Sequence, residues 1–255
     1  VSSLTSCGEK EAKDSGLAQI VVGSDSYPPY IYLNNDGVPT GIDVEIATEA
    51  FRRMGYAARF ETIDWEQKTN LVESGAIDCI WGCFSMDGRE QLYRWVGPYM
   101  VSRQVVAVRS DSDIRTLQDL AGKVVAVQST TKPEELFLNA EQNGLPRLRR
   151  LYSLQNRDLL YTTLLKGYAD ALAAHESAIR QFMKDYSVEY RILDEPLMTA
   201  RLGVAFAKER GDDLPQQLTE VFQEMLADGT VRQIVSRYLD DPEHYLDGLE
   251  DSTHA

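Results

Sequence analysis

LVESGAIDCIWG (residues 71–82) and TLLKGYADALAAH (residues 163–175) follow one pattern. Each runs from the end of an amphipathic helix through a glycine, Gly75 or Gly167, to an aspartate, Asp78 or Asp170, and then into a buried strand. The glycines stand where a helix C-terminus takes a positive φ. A second echo pairs IVVGSDSYPP, from Ile20, with KVVAVQSTTKP, from Lys123: each is a β-branched strand that empties into a polar loop containing proline. The chain therefore contains one unit twice, which predicts two halves built alike.

Between these landmarks strands and helices alternate. DVEIATEAFRRMG (43–55) carries Val44, Ile46, Ala47, Ala50, Phe51 and Met54 at helical spacing before a glycine stop. Alternation of this kind predicts an α/β fold whose mostly parallel sheets are flanked by helices. Ligands of such sheets sit beyond the carboxyl ends of the strands. Four loops qualify: Asp25 to Tyr30, Phe84 to Arg89, Ser129 to Lys132, and His175 to Ser177. Two belong to each half, so a shared ligand would lie in a clam-shell cleft. SRQVVAVRS (102–110) and TARLGVAFAK (199–208) read as paired crossover strands, one leaving and one returning. They divide the chain into lobe 1, residues 18–108 plus 198–255, and lobe 2, residues 109–197. Helices from LPQQLTEVFQEMLADG and TVRQIVSRYL should pack back on lobe 1, with partial disorder expected from Asp240 onward.

Composition narrows the function classes. The chain has 255 residues and a formal net charge of −14, with no basic cluster longer than RLRR, so nucleic acid is an unsuitable partner. No apolar run reaches the roughly 18 residues that a membrane span needs. Residues 1–17 lack apolar periodicity and read as a tether, and Leu4, Thr5, Ser6 and Cys7 resemble the lipobox of bacterial lipoproteins; the alternative is a frayed terminus with an incidental cysteine. Lipidation at Cys7 would anchor the protein to the outer face of the cell membrane, or in the periplasm. Cys79 and Cys83 would lie roughly 13 Å apart in an extended strand and read as buried apolar residues.

The blocks VVGSDSYPPYIYLNNDGVPTGIDVEIATEAFRRMG, IDWEQKTNLVESGAIDCIWGCFSMDGRE, GPYM, LAGKVVAVQSTT, GYADALAAHESA and LADGTVRQIVSRYL follow one another in the order and spacing of a known family. They resemble the bacterial extracellular solute-binding proteins, family 3, which serve polar amino-acid ABC transporters. The resemblance covers nearly everything from Ile20 to Leu239 and implies the type II periplasmic-binding-protein fold. It implies a small-molecule ligand, an amino acid or related carboxylate, and an ABC transporter permease as partner. No cofactor, metal or catalytic residue is expected, and the protein is expected to be a monomer.

Within that resemblance Arg89 pairs with the ligand's α-carboxylate, a role that suits a planar guanidinium with two parallel donors. Asp87 and Glu90 have capping-box spacing, which would place a helix start there and hold the arginine. Thr131 and Glu134 repeat that spacing in lobe 2, where backbone N–H groups with Ser129, Thr130 and Thr131 would form an anion site; an ordinary capped helix is the alternative. Tyr27, Trp65 and Phe84 fall at pocket walls, Ser85 belongs to the same loop as Arg89, and Asp25 stands near the ligand's distal group or serves only as a turn former. One departure stands out: where the family has an aspartate for the α-ammonium, this chain has His175 followed by Glu176. Either these hold the ammonium with help from Asp25, or the ligand is not a standard α-amino acid, or His175 is a helix cap. Two further functions stay open, a cleft enzyme of the cyclohexadienyl-dehydratase type with Glu176 as general acid, and a ligand-sensing module for a receptor.

Overall fold

The computed structural model describes residues 16–249. In chain order the strands are β1 Gln19–Ser24, β2 Tyr32–Leu33, β3 Pro39–Thr40, β4 Ala57–Thr62, β5 Cys79–Ile80, β6 Arg94–Arg109, β7 Val124–Gln128, β8 Arg150–Leu154, β9 Ala171–His175, β10 Tyr190–Ile192 and β11 Met198–Phe206. The helices are α1 Ile42–Arg53, α2 Lys68–Glu73, α3 Lys132–Leu138, α4 Arg157–Leu165, α5 Glu176–Tyr186, α6 Leu214–Ala227, α7 Thr230–Val235 and α8 Pro242–Leu246.

The strand order β4-β1-β5-β11-β6-β9-β7-β8 contains the repeat seen in the sequence. In each half a central strand, β1 or β7, is flanked by two parallel neighbours, and one long antiparallel strand closes the set. The twin aspartates explain the likeness. Asp78 Oδ2 accepts from Val21 N–H at 2.8 Å while Asp78 N–H donates to Val21 C=O, and Asp170 does the same with Val124. Each carboxylate thus clasps the first half of the neighbouring strand, and Gly75 and Gly167, both at φ 74°, follow the helix end three positions before it.

The lobes are joined by β6 and β11, which pair antiparallel from Met198↔Gln104 to Phe206↔Arg94. From Gln104 onward β6 also pairs with β9. The first lobe's core gathers Phe51, Trp81, Tyr99 and Phe222, whose rings meet at 5.4–5.9 Å; such pairs each add about 0.5–1.5 kcal/mol beyond area burial. Part of the tail in which partial disorder was expected is ordered, and the rest lies outside the described residues. Residues 242–246 form α8, and Leu246 and Leu249 are buried against the first lobe, because two apolar side chains at this spacing have a core surface to cover. Cys79 and Cys83 are free and buried, as expected. Cys7 lies outside the described residues.

Candidate functional site

The four candidate loops converge on a cleft between the lobes, with a volume of about 430 Å³ including the part open to solvent. That is the size of a small-ligand site. Tyr27, Trp65, Phe84, Ser85, Arg89, Thr130, Thr131 and His175 line it. Asp25, Ser129 and Glu176 do not. Gln104, Gln128 and Arg157 do, although the sequence analysis named none of them, and so does Lys132, which it named only as the end of a candidate loop.

Arg89 is held differently from expectation. No helix begins at Asp87. Its carboxylate is instead taken by Arg201, accepting from the backbone N–H at 2.7 Å and from Nε at 2.9 Å, while Glu90 pairs with the same guanidinium at 3.0 Å. A contact across more than a hundred residues replaced the local cap. Arg89 instead sits in a turn secured by Trp95 Nε1 donating to its carbonyl. Its guanidinium lies 5.2 Å from the Phe84 ring centroid and donates to Ser85 C=O at 3.1 Å and across the cleft to Thr130 C=O at 3.3 Å. Burial lowers its pKa below the ordinary arginine value. Its hydrogen-bond partners are carbonyls, while the carboxylates of Glu135 and Asp87 act on its charge from further away.

The second lobe's loop spends its donors internally. Thr130 N–H goes to Glu134 and the Thr131 hydroxyl to Gln128 C=O, so the capping box expected between Thr131 and Glu134 is not made. Thr130 is held at φ 58°, a left-handed conformation that a threonine takes only under constraint. That turn points its carbonyl at Arg89 and its hydroxyl at Lys68 Nζ, 2.8 Å away. Lys68 is buried, sits over the Trp65 ring at 4.8 Å, and has its pKa brought down to about 8 by burial and then by Arg89.

Asp25 belongs to an ion pair between lobes. Its Oδ2 accepts from Gln128 Nε2 at 2.8 Å and from Arg157 Nη2 at 3.2 Å. Arg157 is 8% exposed, and its guanidinium stacks on Tyr27 at 3.2 Å from the ring centroid. Burial is the largest single influence and opposes its charge, but Asp25 together with Tyr27, Tyr161 and Cys83 more than offsets it and holds its pKa above the usual value. Further contacts cross the cleft: Ser129 Oγ donates to Glu66 at 2.6 Å and Gln155 to Asp64 at 2.9 Å.

His175 is a buried structural pivot. Nε2 meets Gln104 Nε2 at 2.8 Å, Nδ1 meets Ser102 Oγ at 2.8 Å, and its backbone N–H donates to Tyr27 Oη at 3.3 Å. Desolvation, followed by the nearby Arg157, lowers the imidazole pKa to about 3, so the ring is neutral at physiological pH. It stands at the N-cap position of α5 without a side-chain cap bond. Glu176 turns away and pairs with Arg180 at 2.6 Å and Arg103 at 3.4 Å. Beneath the floor, buried Asp43 accepts from Cys83 N–H at 2.7 Å and Tyr99 Oη at 2.8 Å, and burial raises its pKa to about 7.

The unforeseen residues left faint signals. Lys68, Lys132 and Arg157 each open a helix, a position where the helix dipole disfavours a cation. Gln104 interrupts an apolar strand directly opposite His175 in the register.

Residues 20–241 match the family described as bacterial extracellular solute-binding proteins, family 3. The histidine-binding periplasmic protein of Escherichia coli (strain K12) is 29% identical over 232 residues, covering 87% of either chain. The glutamate-binding protein GluB of Corynebacterium glutamicum is 25% identical over 260 residues, covering 92% of this chain and 85% of that one. The crystal structure of Tv2483 bound to L-arginine superposes with a TM-score of 0.79 at 28% identity, covering 87% of this chain and 90% of that one. A two-lobed α/β frame, a cleft floored by crossing strands, and a sequence match over nearly the whole chain place this protein among the bacterial extracellular solute-binding proteins, family 3.

Proposed function

We propose that the chain captures an amino acid or a related small carboxylate in the cleft, closes on it, and presents the closed form to an ABC transporter permease. The observation that carries this reading is Arg89: a half-buried guanidinium at the junction of both lobes, hydrogen-bonded only to neutral oxygens, lying over the Phe84 ring and lining a small-ligand cavity. A carboxylate supplies the partner that such a group needs. Because Thr130, Lys132 and Gln128 face it from the other lobe, a bound carboxylate favours the closed state. Asp25, Ser129 and Glu176 then support the walls through Arg157, Glu66 and Arg103.

The cleft binds without chemistry in this reading: the histidine that borders it is neutral with both ring nitrogens engaged, and Glu176 faces away from the ligand. We take residues 18–108 plus 198–255 as lobe 1 and 109–197 as lobe 2, the partner exchange along β6 at Gln104 lying near that divide. The protein acts as a monomer outside the cytoplasmic membrane, tethered through lipid on Cys7. No described helix is long and apolar enough to cross a membrane. Mass spectrometry of small molecules released from the purified, denatured protein tests the proposal. A stoichiometric carboxylate is expected, and recovery of a ligand without one would refute it.

A further inference from the structure

Arg157 opens α4 in the second lobe, yet its side chain is spent on the first. The guanidinium lies 3.2 Å from the centroid of the Tyr27 ring, and Nη2 donates to Asp25 Oδ2 at 3.2 Å. Arg157 and Tyr27 both line the cleft. An aromatic face with a carboxylate beside it is a site for a cation, and the chain fills this one with its own side chain. At 3.2 Å the stack is closer than the roughly 3.5–4.0 Å of an ordinary carbon contact, so no ligand group fits between ring and guanidinium.

The arrangement is held from both sides. Gln128 Nε2 donates to the same Asp25 oxygen at 2.8 Å, and Asn156 caps α4 by accepting from Asp158 N–H at 2.8 Å, which steadies the turn that carries Arg157. Asp25 Oδ1 is buried without a partner, and Asp25 does not line the cleft. What Arg157 offers a ligand is a donor: a guanidinium accepts nothing, and its Nε–H is buried without a partner. A ligand cation at this wall would meet a like charge away from water, with the Tyr27 face and Asp25 Oδ2 already taken.

On the function proposed above, in which Arg89 takes the ligand's α-carboxylate and the Tyr27–Arg157 wall is left for its side chain, we infer that Arg157 sets specificity. It occupies the cation site made by Tyr27 and Asp25, and so excludes amino acids that carry a guanidinium or ammonium on the side chain. Those whose side chain ends in an oxygen acceptor are admitted. The restriction falls on the side chain alone: an α-ammonium can still meet Gln104, a lining residue whose side-chain carbonyl has no partner. Removing the Arg157 side chain frees the Tyr27 face and both Asp25 oxygens, and a ligand guanidinium can then take the vacated place.

The test is calorimetry at pH 7 on the full chain, freed of bound ligand by partial unfolding and refolding, for wild type and Arg157→Ala against L-arginine, L-lysine, L-glutamine and L-glutamate. Wild type should bind glutamine or glutamate at least tenfold tighter than arginine and lysine. Arg157→Ala should gain at least tenfold in affinity for arginine. A second measurement reads the cation site itself: millimolar n-propylguanidinium should raise the melting temperature of Arg157→Ala, relative to equal sodium chloride, and leave wild type unchanged. Should the alanine variant fail to fold, Arg157→Gln, which keeps part of the side-chain packing, is measured in its place. Wild-type binding of arginine or lysine as tight as that of glutamine and glutamate overturns the inference and leaves the proposed function intact. A folded variant that gains less than tenfold for arginine overturns it too, as does one that propylguanidinium does not stabilise. If wild type binds none of the four, the inference falls, and mass spectrometry of the released molecules decides the function separately.

Discussion

Replacing Arg89 with alanine isolates the interaction on which ligand capture rests. Of the five N–H donors on a guanidinium, the structure commits one to Ser85 C=O and one across the cleft to Thr130 C=O, leaving the rest for a ligand. Truncating one partner of a buried, hydrogen-bonded charge pair costs about 2–5 kcal/mol. At about 1.4 kcal/mol per decade this is a loss of affinity from about thirtyfold to several thousandfold. The upper part of the range is expected, because the variant also loses the Arg89–Thr130 bond, which exists only when the lobes are shut. Arg89→Lys keeps the charge but not the fork, and should fall between wild type and alanine. Calorimetry against the molecule identified by mass spectrometry measures all three proteins. The ligand-free proteins should melt within a few degrees of one another, since Arg89 hydrogen-bonds only to neutral carbonyls of its own chain. Affinity of Arg89→Ala within threefold of wild type would refute the assignment of this residue as carboxylate anchor.

Stability should respond to pH through two buried groups acting in opposite senses. His175, at about 3 in the folded protein against about 6.5 when unfolded, binds fewer protons folded, so its contribution is lost as pH falls below about 6.5. Asp43, raised to about 7 from its ordinary value of 3.8, binds more protons folded, so its contribution is lost as pH rises from about 4 to 7. Denaturant midpoints from pH 4 to 7 should therefore tilt upward with pH in Asp43→Asn and downward in His175→Gln, each relative to wild type; parallel profiles would contradict both shifts. Affinity should be insensitive to His175 between pH 5.5 and 8, a range in which the ring stays neutral, and a wild-type loss near pH 6.5 that vanishes in His175→Gln would contradict this. Gly41→Ala should cost about 3 kcal/mol or more, because Gly41 has φ 128° and an added Cβ would stand 2.3 Å from Tyr30 O; a denaturant midpoint near wild type would show that the turn before α1 yields. Ligand should reduce the radius of gyration seen by solution X-ray scattering as the lobe-to-lobe contacts of Asp25, Glu66, Lys68 and Arg89 form together; a rise in melting temperature without compaction would exclude closure.

The duplicated architecture was legible in the sequence because its cause is local. A glycine at positive φ, an aspartate three positions on and a β-branched strand use nearest-neighbour chemistry, and Asp78 and Asp170 perform the same clasp in both halves. The converging loops were legible for the same reason, since strand ends and turn residues mark themselves. What each side chain does at the site was decided by distant partners. Capping-box spacing at Asp87 and Glu90 gave way to Arg201, which offers a charged, bidentate donor in place of one backbone N–H. Asp25 was claimed by Arg157, and Glu176 by Arg103 and Arg180. His175 owes its neutral state to burial, a property of the folded whole that no spacing along the chain encodes. Sequence by itself determined the frame and the approximate ring of loops; the balance of charge within the cleft exists only once strands from both halves bring Gln104, Gln128, Lys132 and Arg157 together, because electrostatics depends on distance and desolvation in three dimensions.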